Sequence, residues 1–300
     1  HDACAKEGLE FTGHYWEHEW PQCLLVPDTM AMYAWHQRPA IDILMNQYDE
    51  GTHGQFGNVR AVRELSSVAN QLGLRRTLCE AYGAGGWDLR FEDMKRIADW
   101  LFVLGVNTID EHLSYVTSRG ARKMDHPQSF SYHEPWWDAY NVRATYTTRL
   151  AAALSQGDQI QPFLLLEPTT TAWLYQADPA HAGRLEEIGT VFQKLILGLE
   201  SAQVEYDIGC EDLIARHGSV MVRRLKIGKR GYRAVIIPPL LENLGSKTKK
   251  LLDELVATGG TVVLCGEPPS LIDGRRAPGR SDGPADLPVG WERVAPDALP

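Results

Sequence analysis

Apolar positions along this chain recur as short β-prone runs separated by longer helical stretches. Leu9-Glu10-Phe11-Thr12-Gly13-His14 reads as a short strand ending in a polar turn, and Ile41-Asp42-Ile43-Leu44 as a second strand. Residues 58–72 carry Val62, Leu65, Val68, Ala69 and Leu72 at helical spacing, and Thr77-Leu78-Cys79-Glu80 follows as a strand. Residues 91–104 give the clearest helix, with one stripe of Met94, Ile97, Ala98, Leu101 and Leu104 that Gly105 stops. Residues 107–112 form the next strand, 138–155 a helix and 161–167 a strand. Leu185, Ile188, Phe192, Leu195 and Leu199 mark another helix before a strand at 204–208.

Six strands joined by helices or long loops predict an α/β fold with a parallel sheet. A closed (β/α)8 TIM barrel needs two strands more. The six would then be its third to eighth strands, the first two lying before His1. A doubly wound open sheet is the rival, and periodicity does not separate the two. His1 to Gly8 reads as the end of a helix, which implies that the natural chain begins earlier. The texture changes near Gly218. Residues 220–227 and 232–237 flank Gly228 to Gly231 as a hairpin. Residues 246–258 form an amphipathic helix with Ser246 as its cap, and 261–266 a buried strand. Residues 267–300, rich in Pro, Gly, Asp and Arg, read as loop. The expected organisation is the C-terminal part of a catalytic barrel over 1–217 and a small, truncated α/β domain over 218–300.

The 44% hydrophobic content supports a sizeable core, and no stretch has the length and apolarity of a membrane-spanning helix. The net charge of -9 argues against nucleic acid as a partner. The five cysteines are odd in number and widely spaced, with no CxxC, so neither a disulfide framework nor a zinc knuckle is implied. A leader could precede His1. Location therefore stays open, leaning to periplasmic or secreted, and so does oligomeric state.

Chemistry enters with the acids. Glu80, Glu111, Glu167 and Glu211 each follow a strand-like run, and β/α barrels place their active sites at strand carboxyl ends. The rings Trp16, Trp20, Trp87, Trp136, Trp137 and Trp173 lie near the same segments, and carboxylates with aromatic faces suggest a carbohydrate site. Glycoside hydrolysis takes two carboxyl groups flanking one bond, a proton donor and an activator of water or nucleophile. Glu80 precedes a glycine-rich turn ending in Trp87, a candidate sugar-site wall; the bland alternative is a strand-end acid serving the next helix. Glu211 could instead simply open the helix leading to His217, where acids favour the amino end. Glu167, before three threonines and Trp173, is catalytic or holds another site residue. His14, His112, His133, Glu134 and Trp136 are candidate sugar contacts. Imidazole and carboxylate could also hold a metal, but no HExxH occurs, and a lone histidine more often packs or hydrogen-bonds. No GxSxG nucleophile elbow is present.

Several ordered blocks carry a resemblance. They are Glu80 to Leu89, Asp99-Trp100, Gly105-Val106-Asn107, His112 to Tyr115, Gly120-Ala121-Arg122-Lys123 with His126-Pro127, Ser129 to Trp137, Glu167 to Trp173, and Tyr206 to Asp212. Together, over roughly residues 8–217, they resemble glycoside hydrolase family 106, the α-L-rhamnosidase family. The resemblance implies a (β/α)8 barrel, a carbohydrate substrate and hydrolysis with inversion. It implies Glu80 as general acid and Glu211 as general base, with Glu167 as the substitute for Glu211. An inverting pair stands roughly 6.5–9.5 Å apart to admit water. Some members depend on calcium, which makes calcium the expected cofactor if there is one. Cys210 departs from the acidic residue expected there. The segment after Gly218 resembles the flavodoxin-like, amidotransferase-type domain that follows the barrel in several glycosidase families. A carbohydrate-binding relative without activity and a metal-dependent hydrolase on the same barrel are the alternatives.

Overall fold

All six strands read from the sequence form, and every one pairs in parallel with a neighbour. A computed structural model describes residues 1–176, 178–276 and 286–294. In chain order the first elements are α1 (Asp2–Lys6), β1 (Thr12–Gly13), α2 (Thr29–Tyr33), β2 (Arg38–Ile43), α3 (Val59–Leu72), β3 (Leu78–Ala81), α4 (Phe91–Val103) and β4 (Ile109–Glu111). Next come α5 (Tyr140–Leu154), β5 (Phe163–Leu166), α6 (Thr169–Gln176), α7 (Ala182–Ser201), β6 (Tyr206–Gly209) and α8 (Glu211–His217). The remainder holds β7 (Gly218–Met221), β8 (Arg224–Ile227), β9 (Arg230–Tyr232), β10 (Ala234–Ile237), β11 (Asn243–Leu244), α9 (Ser246–Ala257), β12 (Thr261–Leu264), β13 (Leu271–Ile272), β14 (Arg275–Arg276) and β15 (Glu292–Arg293).

The chain divides into two compact units. The first comprises His1–His18, Trp35–Ala69 and Leu74–Asp158, and the second Glu19–Ala34, Asn70–Gly73 and Gln159–Pro300. The first unit carries a parallel sheet in the order β1-β2-β3-β4. Ala40, Ile41, Cys79 and Ala81 are buried in it. The stripe of α4 is buried as its spacing predicts, and Gly105 ends the turn at φ 112°. Helix α3 is buried nearly all round, polar residues included. Its Arg60 and Glu64 are fully buried and pair one turn apart, while Arg60 Nη2 also donates to the Glu17 carbonyl at 2.7 Å.

The second unit carries the parallel sheet β15-β12-β10-β5-β6. Leu164, Leu165, Leu166, Ile208, Val235, Ile237, Val262 and Leu264 form its core. Here the structure departs from the expected organisation. β10 pairs directly with β5, and β12 with β10, so the boundary set at 217/218 does not separate two sheets. Short apolar runs such as Ala-Val-Ile-Ile announce a buried strand but not its partner. The pairing also divides the barrel-like strands: β1 to β4 share one sheet, while β5 and β6 share another. The expected single hairpin is a three-stranded meander, β7-β8-β9, with β10 leaving for the larger sheet. The cap of α9 is Gly245 rather than Ser246, whose own N–H is bonded by Asp273 Oδ1 at 2.9 Å. The loop expected over 267–300 contains β13 to β15, and its residues 277–285 and 295–300 lie outside the described ones. Among the described residues no helix is long and apolar enough to cross a membrane.

The Arg60–Glu64 pair gives a direct test of this packing. Glu64→Gln removes the carboxylate from a fully buried ion pair and is expected to cost about 3–5 kcal/mol. Urea denaturation measures it, and a loss below about 1 kcal/mol would mean that water reaches the pair.

Candidate active site

The carboxyl ends of β1 to β4 gather the acids and imidazoles of the first unit. Parallel register sets Asp42 of β2 opposite Glu80 of β3, and Glu80 opposite Asp110 of β4. Neighbouring strands run about 4.8 Å apart, so three carboxylates stand abreast. His14, just beyond β1, places Nε2 2.8 Å from Glu80 Oε2. His112, just beyond β4, places Nε2 3.9 Å from Glu80 Oε1. Each oxygen of Glu80 therefore faces an imidazole. The sequence reading singled out these three residues, and the structure brings them together.

Asp42 is the residue it passed over. Burial pushes the Asp42 carboxyl up to about 6; Glu80 adds to the shift, and His14, His112 and His126 oppose it. Burial, with Glu80 and Glu111, raises Asp110 too. The signal available was an acid inside the apolar run Ile41-Asp42-Ile43.

The turn after Glu80 is tightly determined. Tyr82 and Ala84 take positive φ, 71° and 56°, a costly conformation for a bulky ring. Tyr82 is held there by the Arg143 guanidinium on its hydroxyl and by Gln128 Nε2 on its carbonyl at 2.7 Å. Between them Gly83 has no room for a side chain. A Cβ would stand 2.5 Å from Leu44 Cδ2 and 2.9 Å from His112 Cγ. The glycine thus lets the backbone close against the imidazole that faces Glu80.

The other candidates of this unit have partners elsewhere. Trp87 Nε1 donates to the Lys123 carbonyl at 2.6 Å. Trp136 packs among Phe91, Phe130 and Tyr140, and its Nε1 donates to the Leu89 carbonyl at 3.0 Å. Trp136 is half-buried in this aromatic cluster. His133 Nδ1 bonds the Ser131 hydroxyl at 2.8 Å. Glu134 is buried, accepts from the Ser129 N–H at 3.4 Å, and has its carboxyl raised by that burial. Glu111, the fourth strand-end acid, is bound by Arg143 and by the Tyr140 hydroxyl at 2.6 Å.

Glu167, Glu211 and Trp173 belong to the second unit. Glu167 directly follows β5 and is buried, with Oε2 accepting from the Thr169 hydroxyl at 2.9 Å. The Thr169 oxygen in turn accepts from Trp20 Nε1 at 3.1 Å. Glu211 opens α8, and both its oxygens are engaged: Oε1 by the Thr170 hydroxyl and Oε2 by the Gly245 N–H, each at 2.6 Å. Trp173, on α6, donates to the Pro27 carbonyl at 2.6 Å and is 44% exposed. Cys210 is a buried thiol 3.2 Å from Asp28 Oδ2, and burial followed by the Asp28 charge pushes it up.

A metal can be tested against the donors present. His14, Asp42 and Glu80 each offer one ligand atom, all within 4.8 Å of one another. One imidazole and two carboxylates suit a borderline divalent transition ion; calcium takes six to eight oxygens, and this set does not fit it.

No family model and no curated relative matches the sequence. Solved structures do. The rhamnosidase from Novosphingobium sp. PP1Y superposes with a TM-score of 0.65 at 18% identity, over 90% of this chain and 24% of its own. The β-galactosidase from Rahnella sp. R3 gives 0.53 at 11% identity, over 86% of this chain and 36% of its own. A family 42 β-galactosidase of G. stearothermophilus gives 0.56 at 12% identity, over 86% and 37%. The chain thus spans about a quarter of the rhamnosidase's length. At these identities the likeness is one of fold.

The Asp42 environment makes a signed prediction. Its carboxyl titrates at about 6 in the fold and near the ordinary value of about 3.9 when unfolded. The fold favours the protonated form, so the contribution is complete below the unfolded value and is lost as pH rises through about 6. Asp42→Asn is expected to leave Tm unchanged near pH ~4 and to raise it by about 2–4 °C near pH ~8. An equal difference at both pH values in thermal unfolding would contradict the assignment. This sheet end thus gathers acids and imidazoles on a fold like that of glycoside hydrolases.

Proposed function

We propose that this protein is a glycoside hydrolase of the α-L-rhamnosidase type, acting on terminal sugar linkages by an inverting acid/base mechanism. One observation carries the reading: Glu80 ends a parallel strand with an imidazole facing each oxygen and Asp42 abreast. Asp42, its carboxyl raised to about 6 first by burial, sets a proton-holding group beside Glu80, the kind of arrangement that proton transfer to a glycosidic oxygen uses. Glu80 is the general acid in this proposal. Its carboxyl protonates the leaving oxygen, the glycosidic C–O bond breaks, and water deprotonated by the base attacks the opposite face of the sugar. Glu211 is the proposed base. Glu167 replaces it if the two hydrogen bonds on Glu211 prove to be its whole function. The likeness in fold to a rhamnosidase supports the choice of sugar.

A second reading, a metal-dependent hydrolase, is favoured by the His14–Asp42–Glu80 donor set. Loss of activity to a chelator, restored by a divalent transition ion, would select it.

Leaving-group dependence separates the roles. Glu80→Gln is expected to lower kcat/KM on an alkyl α-L-rhamnoside by about 10²–10⁴-fold. The loss should be smaller on p-nitrophenyl α-L-rhamnoside, whose leaving group needs little protonation. The base variant should lose equally on both substrates. Retained activity in Glu211→Gln with loss in Glu167→Gln moves the base to Glu167. A full-length parent that cleaves no α-L-rhamnoside refutes the rhamnosidase assignment, and one that binds sugars but is silent on a broad glycoside panel selects the carbohydrate-binding reading.

A further inference from the structure

A cavity of about 420 Å³ in the first unit has His112, Tyr115, Thr117, Arg122, Asp125 and His126 among its lining residues. That volume is within the range of small-ligand sites. It adjoins the candidate acid, because the His112 ring that lines it is the one whose Nε2 stands 3.9 Å from Glu80 Oε1. The proton donor of a glycosidase faces the oxygen between two residues. A cavity beside it, on the imidazole side, is placed to hold the leaving group.

Its walls are preformed. Gln128 Nε2 donates to the carbonyls of Tyr82 at 2.7 Å and of His112 at 3.0 Å. The Tyr115 N–H donates to the Ser129 hydroxyl at 2.9 Å, and the Tyr115 hydroxyl to the carbonyls of Asp125 and, at 3.2 Å, His126. The loop is therefore tied to the turn that follows Glu80 and to itself.

Its polar lining is the distinguishing feature. The cavity brings together one guanidinium and one carboxylate, with two imidazoles beside them. The His112 and His126 rings lie 5.2 Å apart. Arg122 reaches Asp125 only at 3.8 Å, with both side chains more than half exposed, a pairing too loose to hold the guanidinium closed. Arg122 also lies 5.8 Å from the centre of the Tyr115 ring. A planar guanidinium beside an aromatic face matches a sugar ring bearing a carboxylate, which it can grip through two parallel N–H bonds.

We propose that this cavity is a leaving-group subsite for a hexuronic acid and that Arg122 is its specificity-determining residue. The proposal rests on the glycosidase reading for the term leaving group, but the binding of a uronate does not depend on that reading. Hydroxyls of the sugar meet Thr117 and the imidazoles, and the carboxylate meets Arg122.

Two measurements on the full chain test it. The first is calorimetric binding of methyl β-D-glucuronide beside methyl β-D-glucoside, which differ only by the carboxylate. The glucuronide is expected to bind at least about tenfold tighter, and Arg122→Gln to erase that preference while Arg122→Lys keeps part of it. Arg122 is largely exposed on a turn, so an unchanged Tm verifies that the variants fold. Equal affinity for the two sugars, or a preference that survives Arg122→Gln, overturns the proposal. A methyl glucoside 6-sulfate that binds as tightly as the glucuronide would also overturn it, since the site would then read charge and not a uronate. The second measurement compares kcat/KM on rhamnosyl-glucuronide and rhamnosyl-glucoside. A uronate preference in binding with neither disaccharide cleaved keeps the subsite and removes the hydrolase. Equal cleavage of both with no binding preference does the reverse.

Discussion

Three carboxylates on three adjacent parallel strands have to share one sheet end. Asp42, Glu80 and Asp110 are fixed there by hydrogen-bond register, and a slip of one residue in any of these strands would turn its acid to the other face. Like charges at strand spacing repel, and the partly buried setting makes that repulsion stronger than in water. The chain relieves it in two ways. His14 and His112 face the two oxygens of Glu80, and Asp42 gives up its charge until about pH 6. The rest of the site follows from this arrangement. The cluster is poised to hold or release a proton because the sheet cannot separate its acids.

The turn beyond Glu80 answers the same constraint. His112 can approach the carboxylate only because Gly83 leaves space for its ring, and Gly83 is pressed there by the left-handed turn at Tyr82 and Ala84. That backbone is unfavourable for a tyrosine on its own. It persists because the carbonyl and hydroxyl of Tyr82 are both occupied by buried donors from later in the chain. Strain next to Glu80 is thus balanced by contacts from Gln128 and Arg143, farther along the chain.

Much of this was legible in the sequence, and the parts that were not share a physical origin. The stripes of α3, α4 and α7 and the six strands appear where periodicity sets them, since burial of one face is a local property. Glu80, His14 and His112 were readable because each follows a strand-like run. Asp42 was not, because an acid between two isoleucines looks like the solvent-facing position of an alternating strand. The partner of β10 was not, because an apolar run records that a strand is buried and not which edge it joins. Ser246 was misplaced by one position, because a serine suits the cap and the first helical position alike; Gly245 is the cap and Ser246 begins the helix.

The adjacent acids Asp110 and Glu111 show how period two assigns roles. Asp110 lies in register with Glu80 and has its carboxyl raised by that neighbour, after burial. Glu111, one position on, is in register with Ala81 and is bound by Arg143 and Tyr140. Its charge is matched by a guanidinium that is almost fully buried. A carboxylate held in this way is structural, because taking up a proton would break its pairing with Arg143. Yet Arg143 also grips the Tyr82 hydroxyl, and Tyr82 sets the turn that positions Gly83 and His112. Glu111 therefore reaches the candidate acid through a chain of contacts, Arg143 to Tyr82 to Gly83 to His112, without touching it. Both acids at the end of β4 serve Glu80, one by its charge and the other by the scaffold it anchors.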